Sequence, residues 1–178
     1  MIEYIKSDLY RYYGKVNYYV LFLGLVRSRI FRFQFILRIC QSKSCIKYLG
    51  LILWVFNRTK YTIQISNQTR IGYGLYIGHG GPIVINKHTI IGNNVNLSQN
   101  LTIGCNNGKG AKIGDCVYIG PNVCIVEDVE IGDNVTIGAG SVVTKNIPTN
   151  ATAAGNYAKV LNYNRPGRYI QNPYSSTK

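Results

Sequence analysis

The sequence predicts a mainly β protein: a parallel β-helix of hexapeptide repeats that follows an N-terminal helical segment. The main observation is that an aliphatic residue recurs at every sixth position through three runs of the chain. These positions are Ile65, Ile71, Ile77, Ile85, Ile91, Leu97, Ile103, Ile113, Ile119, Ile125, Ile131, Ile137 and Val143. A period of six matches neither the 3.6-residue turn of an α-helix nor the alternation of a plain β-strand. It fits a three-sided coil whose faces are short strands.

A second set of small or apolar residues supports the same coil, because its members follow the first set by four positions. They are Thr69, Val95, Val117, Val123, Val129, Val135 and Ser141. Glycine and asparagine between the sets suit corners where the backbone φ turns positive. We therefore assign residues 62–148 to the β-helix, residues 1–61 to a separate N-terminal segment and residues 149–178 to a C-terminal loop and tail.

The period of six is interrupted twice. Between Ile77 and Ile85 the spacing is eight, so two extra residues enter the Gly78–Pro82 stretch. Between Ile103 and Ile113 the spacing is ten, so a loop around Cys105–Ala111 leaves the coil. Insertions on one face of a repeat protein usually build its binding surface.

The N-terminal segment is basic and rich in aromatic residues, and it holds eleven of the 20 Lys and Arg residues. Helical spacing is expected across Val20–Ile39 and again across Ile46–Phe56. The longest uncharged apolar run, Tyr18–Val26, is half the length of a membrane span. Two interpretations stay open, and they are compatible. The helices cap the open end of the β-helix, or they lie as a peripheral layer on an anionic membrane surface.

Composition excludes several classes of function. From Leu9 to Gly114 the sequence has no carboxylate, which excludes a locally encoded carboxylate pair or carboxylate-rich metal site over most of the chain, and we expect no metal. The five cysteines are odd in number and lack C-x-x-C spacing, which favours a reducing cytoplasm over a disulfide framework. No secretory signal is visible. No nucleic-acid-binding motif accompanies the net charge of +13, so nucleic acid is not an expected partner.

Two stretches resemble a known family, the hexapeptide-repeat acyltransferases, and within it the serine O-acetyltransferase-like branch. The first is GLYIGHGGPIVI, which begins at Gly74. The second is IGAGSVVTK from Ile137, continued by TAAGNYAK from Thr152. The resemblance covers roughly residues 63–160. It implies a left-handed β-helix, a homotrimer with active sites between neighbouring prisms, and acetyl-CoA as the acyl donor.

The resemblance also assigns roles to the two histidines of the chain. His79 matches the general base that takes the proton from the acceptor hydroxyl, which then attacks the thioester directly. Imidazole suits this role because its ordinary pKa lies near neutral pH. His88 lies in an ordinary polar turn, so no role is expected for it.

Coenzyme A is expected near the C-terminal coils, because several residues there match cofactor contacts of the family. They are Ala139, Thr144, Lys145 and Lys159, with Pro121 one coil earlier. Small residues let the pantetheine approach the backbone, and lysines can meet the phosphates.

The acceptor side departs from the serine branch. Gly78 and Gln64 stand where that branch has aspartates, and the loop at Asn106–Gly110 lacks its Arg-His pair. We therefore expect transfer to a hydroxyl of a sugar in a bacterial surface polysaccharide or its precursor. A serine O-acetyltransferase and a non-catalytic β-helix scaffold are the alternatives. The expected location is the cytoplasm, with the inner face of the membrane as a peripheral site.

Overall fold

The computed structural model describes residues 2–57, 60–106 and 108–175, so Asn107 of the second insertion lies outside the described residues. Its helices are α1 (Ile2–Tyr13), α2 (Tyr18–Arg27), α3 (Arg29–Cys40) and α4 (Ile46–Asn57). The continuous helix expected over Val20–Ile39 is in fact two helices. Ser28 separates them: its N–H donates to Gly24 O and closes α2, while its Oγ accepts from Phe31 N–H and begins α3.

The strands that follow form three parallel faces. They are β1 (Ile63–Ile65), β2 (Arg70–Ile71), β3 (Tyr76–Ile77), β4 (Ile83–Ile85), β5 (Ile90–Ile91), β6 (Asn96–Leu97), β7 (Leu101–Gly104), β8 (Lys112–Ile113), β9 (Tyr118–Ile119), β10 (Cys124–Val126), β11 (Glu130–Ile131), β12 (Thr136–Ile137), β13 (Val142–Val143), β14 (Thr152–Ala154) and β15 (Lys159–Asn162). From β1 to β13 every third strand pairs in parallel, and β14 and β15 extend one of the faces; the result is a five-stranded, a four-stranded and a six-stranded sheet. The predicted fold class is confirmed.

The core of the β-helix consists of the residues that recur with period six. All the aliphatic positions predicted from that period are buried, and so is the second set four positions later. Each fully buried isoleucine side chain contributes about 1.5–3 kcal/mol relative to an exposed one. The stacked interior therefore accounts for the fold of this part of the chain.

Strand register locates both insertions. Ile77 pairs with Leu97 and Ile83 pairs with Leu101, so the Gly78–Pro82 turn is two residues longer than the turn above it. The second insertion lies between β7 and β8, where the chain crosses from the five-stranded to the four-stranded sheet. The two insertions thus leave the prism at different corners.

The N-terminal helices cap the first coil with polar side chains. The edge strand β3 and the turn before it have backbone groups with no neighbouring coil below them. Ser7 Oγ accepts from Gly74 N–H at 2.9 Å, and Asp8 Oδ1 accepts from Leu75 N–H at 2.8 Å. These side chains replace the missing coil, so the buried backbone groups keep hydrogen-bond partners.

A buried ion pair joins α1 to α3 under this coil. Arg38 donates to both carboxylate oxygens of Asp8, at 2.8 and 2.9 Å, and both side chains are 2% exposed. Arg38 also donates to Ile71 O at 3.0 Å and to Gly72 O at 2.7 Å. Burial raises the pKa of Asp8, while the Arg38 guanidinium acts against that rise. The contacts show that the helical segment is a cap on the solenoid.

The C-terminal region extends the coil further than the sequence indicated. Strand β14 pairs in parallel with β12, so the six-stranded sheet continues beyond residue 148, the boundary assigned above. Strand β15 then turns back antiparallel to β14. The following segment runs back toward the N-terminal helices, where Arg11 Nε donates to Gln171 O at 2.9 Å. In the described ranges, no helix has both the length and the apolar character needed to cross a membrane.

Candidate active site

One corner of the prism carries the longer first turn and stacks through four successive coils. The chain crosses it after β3, β6, β9 and β12, at residues 78–82, 98–100, 120–122 and 138–140. Backbone hydrogen bonds join the turns, from Asn122 N–H to Gln99 O at 3.0 Å and from Gly140 N–H to Pro121 O at 2.9 Å. We call this corner the His79 edge.

His79 lies exposed at the lower end of this edge, directly after β3 and Gly78. Its backbone φ is +20°, a value uncommon for a residue other than glycine, and Gly81 N–H donates to its carbonyl at 2.6 Å. Within the described ranges the imidazole has no side-chain hydrogen bond in its own chain. The histidine is thus fixed through its backbone and presented to solvent.

The helical cap holds β3, the strand that precedes the His79 turn. The Tyr12 hydroxyl accepts from Ile77 N–H at 3.0 Å and donates toward Ile77 O at 2.8 Å, with Gln34 Oε1 also in contact. Burial raises the pKa of Tyr12 well above its usual value, so the hydroxyl keeps the proton that it donates. A side chain far away in sequence therefore positions the backbone two residues before His79.

Three of the residues expected to contact coenzyme A lie on the His79 edge. Pro121 and Ala139 occupy successive turns. Lys159 begins β15, two strands beyond β12, and pairs with Ala154 at the end of β14. Ala139 and Lys159 are exposed, and a Cβ added at Gly140 would meet nothing within 4 Å. His79 and Ala139 are three inter-strand steps apart, roughly 14 Å at about 4.8 Å per step. An extended ligand along this edge can reach both.

The other two expected cofactor residues lie elsewhere. Thr144 and Lys145 follow β13, at the corner between the five-stranded and four-stranded sheets. Both are exposed, but a face of the prism separates them from His79. A single chain does not bring them together with the histidine.

His88 lies on that second corner, next to the second insertion. A Cβ added at Gly110 would lie 2.4 Å from the His88 carbonyl carbon, so the loop packs directly on this turn. His88, Lys109 and Lys112 line a shared cavity of about 590 Å³. The sequence did not indicate a histidine beside this loop, because His88 belongs to the preceding coil. Only the stacking of one coil on the next brings His88 to the loop.

A second feature that sequence reasoning missed is a cavity beside the His79 turn. It has a volume of about 530 Å³, and Arg27, Arg29, Tyr61 and Gly80 are among its lining residues. The Arg29 guanidinium lies over the Tyr61 ring at 5.5 Å. Arg27 at the end of α2 and Arg29 at the start of α3 therefore line a space next to the candidate base. Because these arginines are far from His79 in the chain, the sequence alone did not indicate that they lie near it.

Comparison with known proteins agrees with this architecture. Residues 110–145 match the family described as bacterial transferase hexapeptide (six repeats). The chain is 40% identical over 118 residues to mitochondrial serine acetyltransferase 3 of Arabidopsis thaliana, which covers 62% of this chain and 30% of that protein. It is 36% identical over 107 residues to serine acetyltransferase of Helicobacter pylori, covering 58% of this chain and 63% of that protein.

Solved structures give the same result. Soybean serine acetyltransferase complexed with serine superposes with a TM-score of 0.72 at 27% identity, covering 90% of this chain and 67% of that chain. A serine acetyltransferase in complex with CoA superposes with a TM-score of 0.74 at 27% identity, covering 90% of this chain and 69% of that one.

The protein is therefore a hexapeptide-repeat β-solenoid, and it is similar in sequence and in structure to hexapeptide-repeat acyltransferases. Its homologues in these comparisons are named serine acetyltransferases. The chain spans only 30% of the first plant relative and 37% of the second. The matches do not support the polysaccharide O-acetyltransferase type expected from the sequence, and they favour the serine alternative instead.

Proposed function

We propose that the protein is an acetyl-CoA-dependent O-acetyltransferase with His79 as its general base. The imidazole takes the proton of the acceptor hydroxyl while the oxygen forms a bond to the thioester carbonyl carbon. The carbon–sulfur bond of the tetrahedral intermediate then breaks, and the CoA sulfur leaves with the proton that His79 held. The observation that carries the proposal is the alignment of His79, Pro121, Ala139 and Lys159 on one edge of the prism.

Serine is the acceptor that the comparisons favour over a sugar hydroxyl. The cavity beside Gly80 supports it on physical grounds, because Arg27 and Arg29 can attract a carboxylate. Gly78 and Gln64 provide no negative charge for the ammonium group. We therefore propose serine as an acceptor that is recognised mainly through its carboxylate.

The homotrimer implied by the family resemblance belongs to the same proposal. Thr144 and Lys145 lie one prism face away from the His79 edge. Packing of three prisms side by side would bring this corner of one subunit next to the His79 edge of another. Coenzyme A would then lie between subunits and meet both sets of residues.

The acceptor is tested with acetyl-CoA and a panel of serine, serinamide, free hexoses, nucleotide sugars and isolated glycan, followed by mass spectrometry. We expect acetylation of serine, with kcat/KM about tenfold or more above that for serinamide, because a charge-assisted contact to the carboxylate is lost in the amide.

The other outcomes of this assay would contradict separate parts of the proposal. Acetylation of a sugar without O-acetylserine would show that the acceptor assignment is wrong. Equal rates with serine and serinamide would show that Arg27 and Arg29 do not bind the carboxylate of serine. Absence of transfer to every acceptor, together with weak CoA binding, would favour the non-catalytic scaffold.

Replacing Lys159 with alanine is expected to raise KM for acetyl-CoA by about tenfold while kcat changes little. The reason is that the lysine would meet a phosphate, and a hydrogen bond to a charged group contributes about 1.5–3 kcal/mol. Steady-state kinetics at saturating acceptor measures both constants. Lys112→Ala is the matched control, because Lys112 is an exposed lysine on another face. An unchanged KM for acetyl-CoA in Lys159→Ala would show that Lys159 does not bind the cofactor.

A further inference from the structure

Helix α2 presents an apolar stripe to solvent. Tyr18 is 91% exposed, Tyr19 70%, Phe22 63% and Val26 57%. The spacing of four between Tyr18, Phe22 and Val26 places them on one side of the helix. The only residue of α2 that is buried is Gly24, on which Phe31 of α3 packs. Most of this helix surface is therefore apolar and uncovered.

Helix α4 presents a second stripe of the same kind. Its exposed large apolar residues are Tyr48, Leu49, Leu51, Ile52, Val55 and Phe56. Leu49, Ile52 and Phe56 are separated by three and four positions, so they share one side of the helix. Phe56 is 70% exposed and Ile52 is 56% exposed. Trp54 lies on the other side and packs against Phe33 of α3.

The two helices border a common apolar cavity. It has a volume of about 450 Å³, and its lining includes Tyr18 and Leu21 of α2, Phe35 of α3 and Ile46 of α4. Lys6 also lines it. We call the two exposed stripes together with this cavity the apolar helical face.

Lysines outnumber the carboxylates of the helical segment. No carboxylate occurs between residues 9 and 114, Asp8 is buried in its pair with Arg38, and Glu3 accepts from the Tyr174 hydroxyl. Lys15 precedes α2 and Lys43 precedes α4, and both are exposed. The surface therefore combines uncovered aromatic and aliphatic side chains with the positive charge of exposed lysines.

We propose that the apolar helical face binds the surface of an anionic lipid bilayer. Aromatic and aliphatic side chains can enter the boundary between headgroups and acyl chains, and lysines at that depth attract anionic headgroups. A second copy of the chain is a poorer partner, because pairing the same face with itself would bring like charges together. This proposal does not depend on the acetyl-transfer reaction.

The test is cosedimentation of the full chain with lipid vesicles. We expect at least tenfold stronger binding to vesicles that contain phosphatidylglycerol than to pure phosphatidylcholine, and loss of much of that binding in high salt. Phe22→Glu combined with Phe56→Glu is expected to weaken binding to the anionic vesicles at least tenfold. Both side chains are exposed, so the fold should tolerate the change.

The matched control is Leu161→Glu combined with Tyr163→Glu, which adds the same charge at exposed apolar positions outside the N-terminal helices. This variant should bind vesicles nearly as strongly as the parent. Equal loss of vesicle binding in both double variants would show that the added negative charge alone causes the loss. Equal binding to vesicles with and without phosphatidylglycerol would show that the protein does not recognise anionic headgroups. Either result overturns the proposal. Self-association that only Phe22→Glu/Phe56→Glu abolishes, without vesicle binding, would assign the face to a second copy instead.

Discussion

Replacing His79 with alanine is expected to lower kcat by about a hundredfold to ten-thousandfold, the range for a positioned general base. The histidine is exposed at a turn, and no side chain of its own chain within the described ranges is bonded to its imidazole, so folding should not depend on it. CoA binding should persist, because Ala139 and Lys159 lie several strands away along the same edge. Steady-state kinetics and calorimetry with CoA measure the two effects separately.

His88→Ala is the matched control, since the chain has only two histidines. If the base is His79, this variant should retain a rate within a few-fold of the parent. A large loss in His88→Ala with full activity in His79→Ala would move the reaction to the second corner, where His88 faces the loop at Lys109.

Asp8→Asn is expected to destabilise the protein more than any surface change. The substitution leaves the Arg38 guanidinium buried without its counter-ion, which typically costs about 3–5 kcal/mol. For a chain of this length that corresponds to a fall in melting temperature of about 10 °C or more. Differential scanning calorimetry or thermal circular dichroism measures the change.

The exposed pair between Lys112 and Glu130 provides the comparison. Glu130→Gln removes one charge there, and both side chains are more than half exposed, so the melting temperature should barely move. If Asp8→Asn also left the melting temperature unchanged, the pair beneath the first coil would not be needed to hold the cap. A drop in activity without a drop in stability would instead assign Asp8 to positioning the strand of His79.

The β-helix could be predicted from sequence because its information is local and repeated. Each coil buries the same kind of side chain at the same spacing, so the interior follows from period six alone. Ile125 and Ile137, for example, are both 0% exposed. The two insertions were visible for the same reason, since a break in a regular period is as clear as the period itself.

The helical cap could be predicted only in part from the sequence. Apolar spacing suggested helices, but it joined α2 to α3 and missed α1. The role of Asp8 could not be predicted, because nothing near it in the sequence indicates a partner 30 residues later in the chain. Its pairing with Arg38 depends on how two helices cross beneath a coil, and a single sequence carries no direct record of that crossing.

The sequence by itself determined that the chain forms hexapeptide coils, and it marked His79 and the C-terminal coils as candidates. Only the tertiary structure decided which candidates share an edge. The stacking of coils brings Ala139 and Lys159 into line with His79, places Lys145 on another corner, and brings Arg29 from the cap beside the His79 turn. The physical reason is that a solenoid makes neighbours of residues one coil apart, whereas cap and tail contacts arise from packing between distant segments.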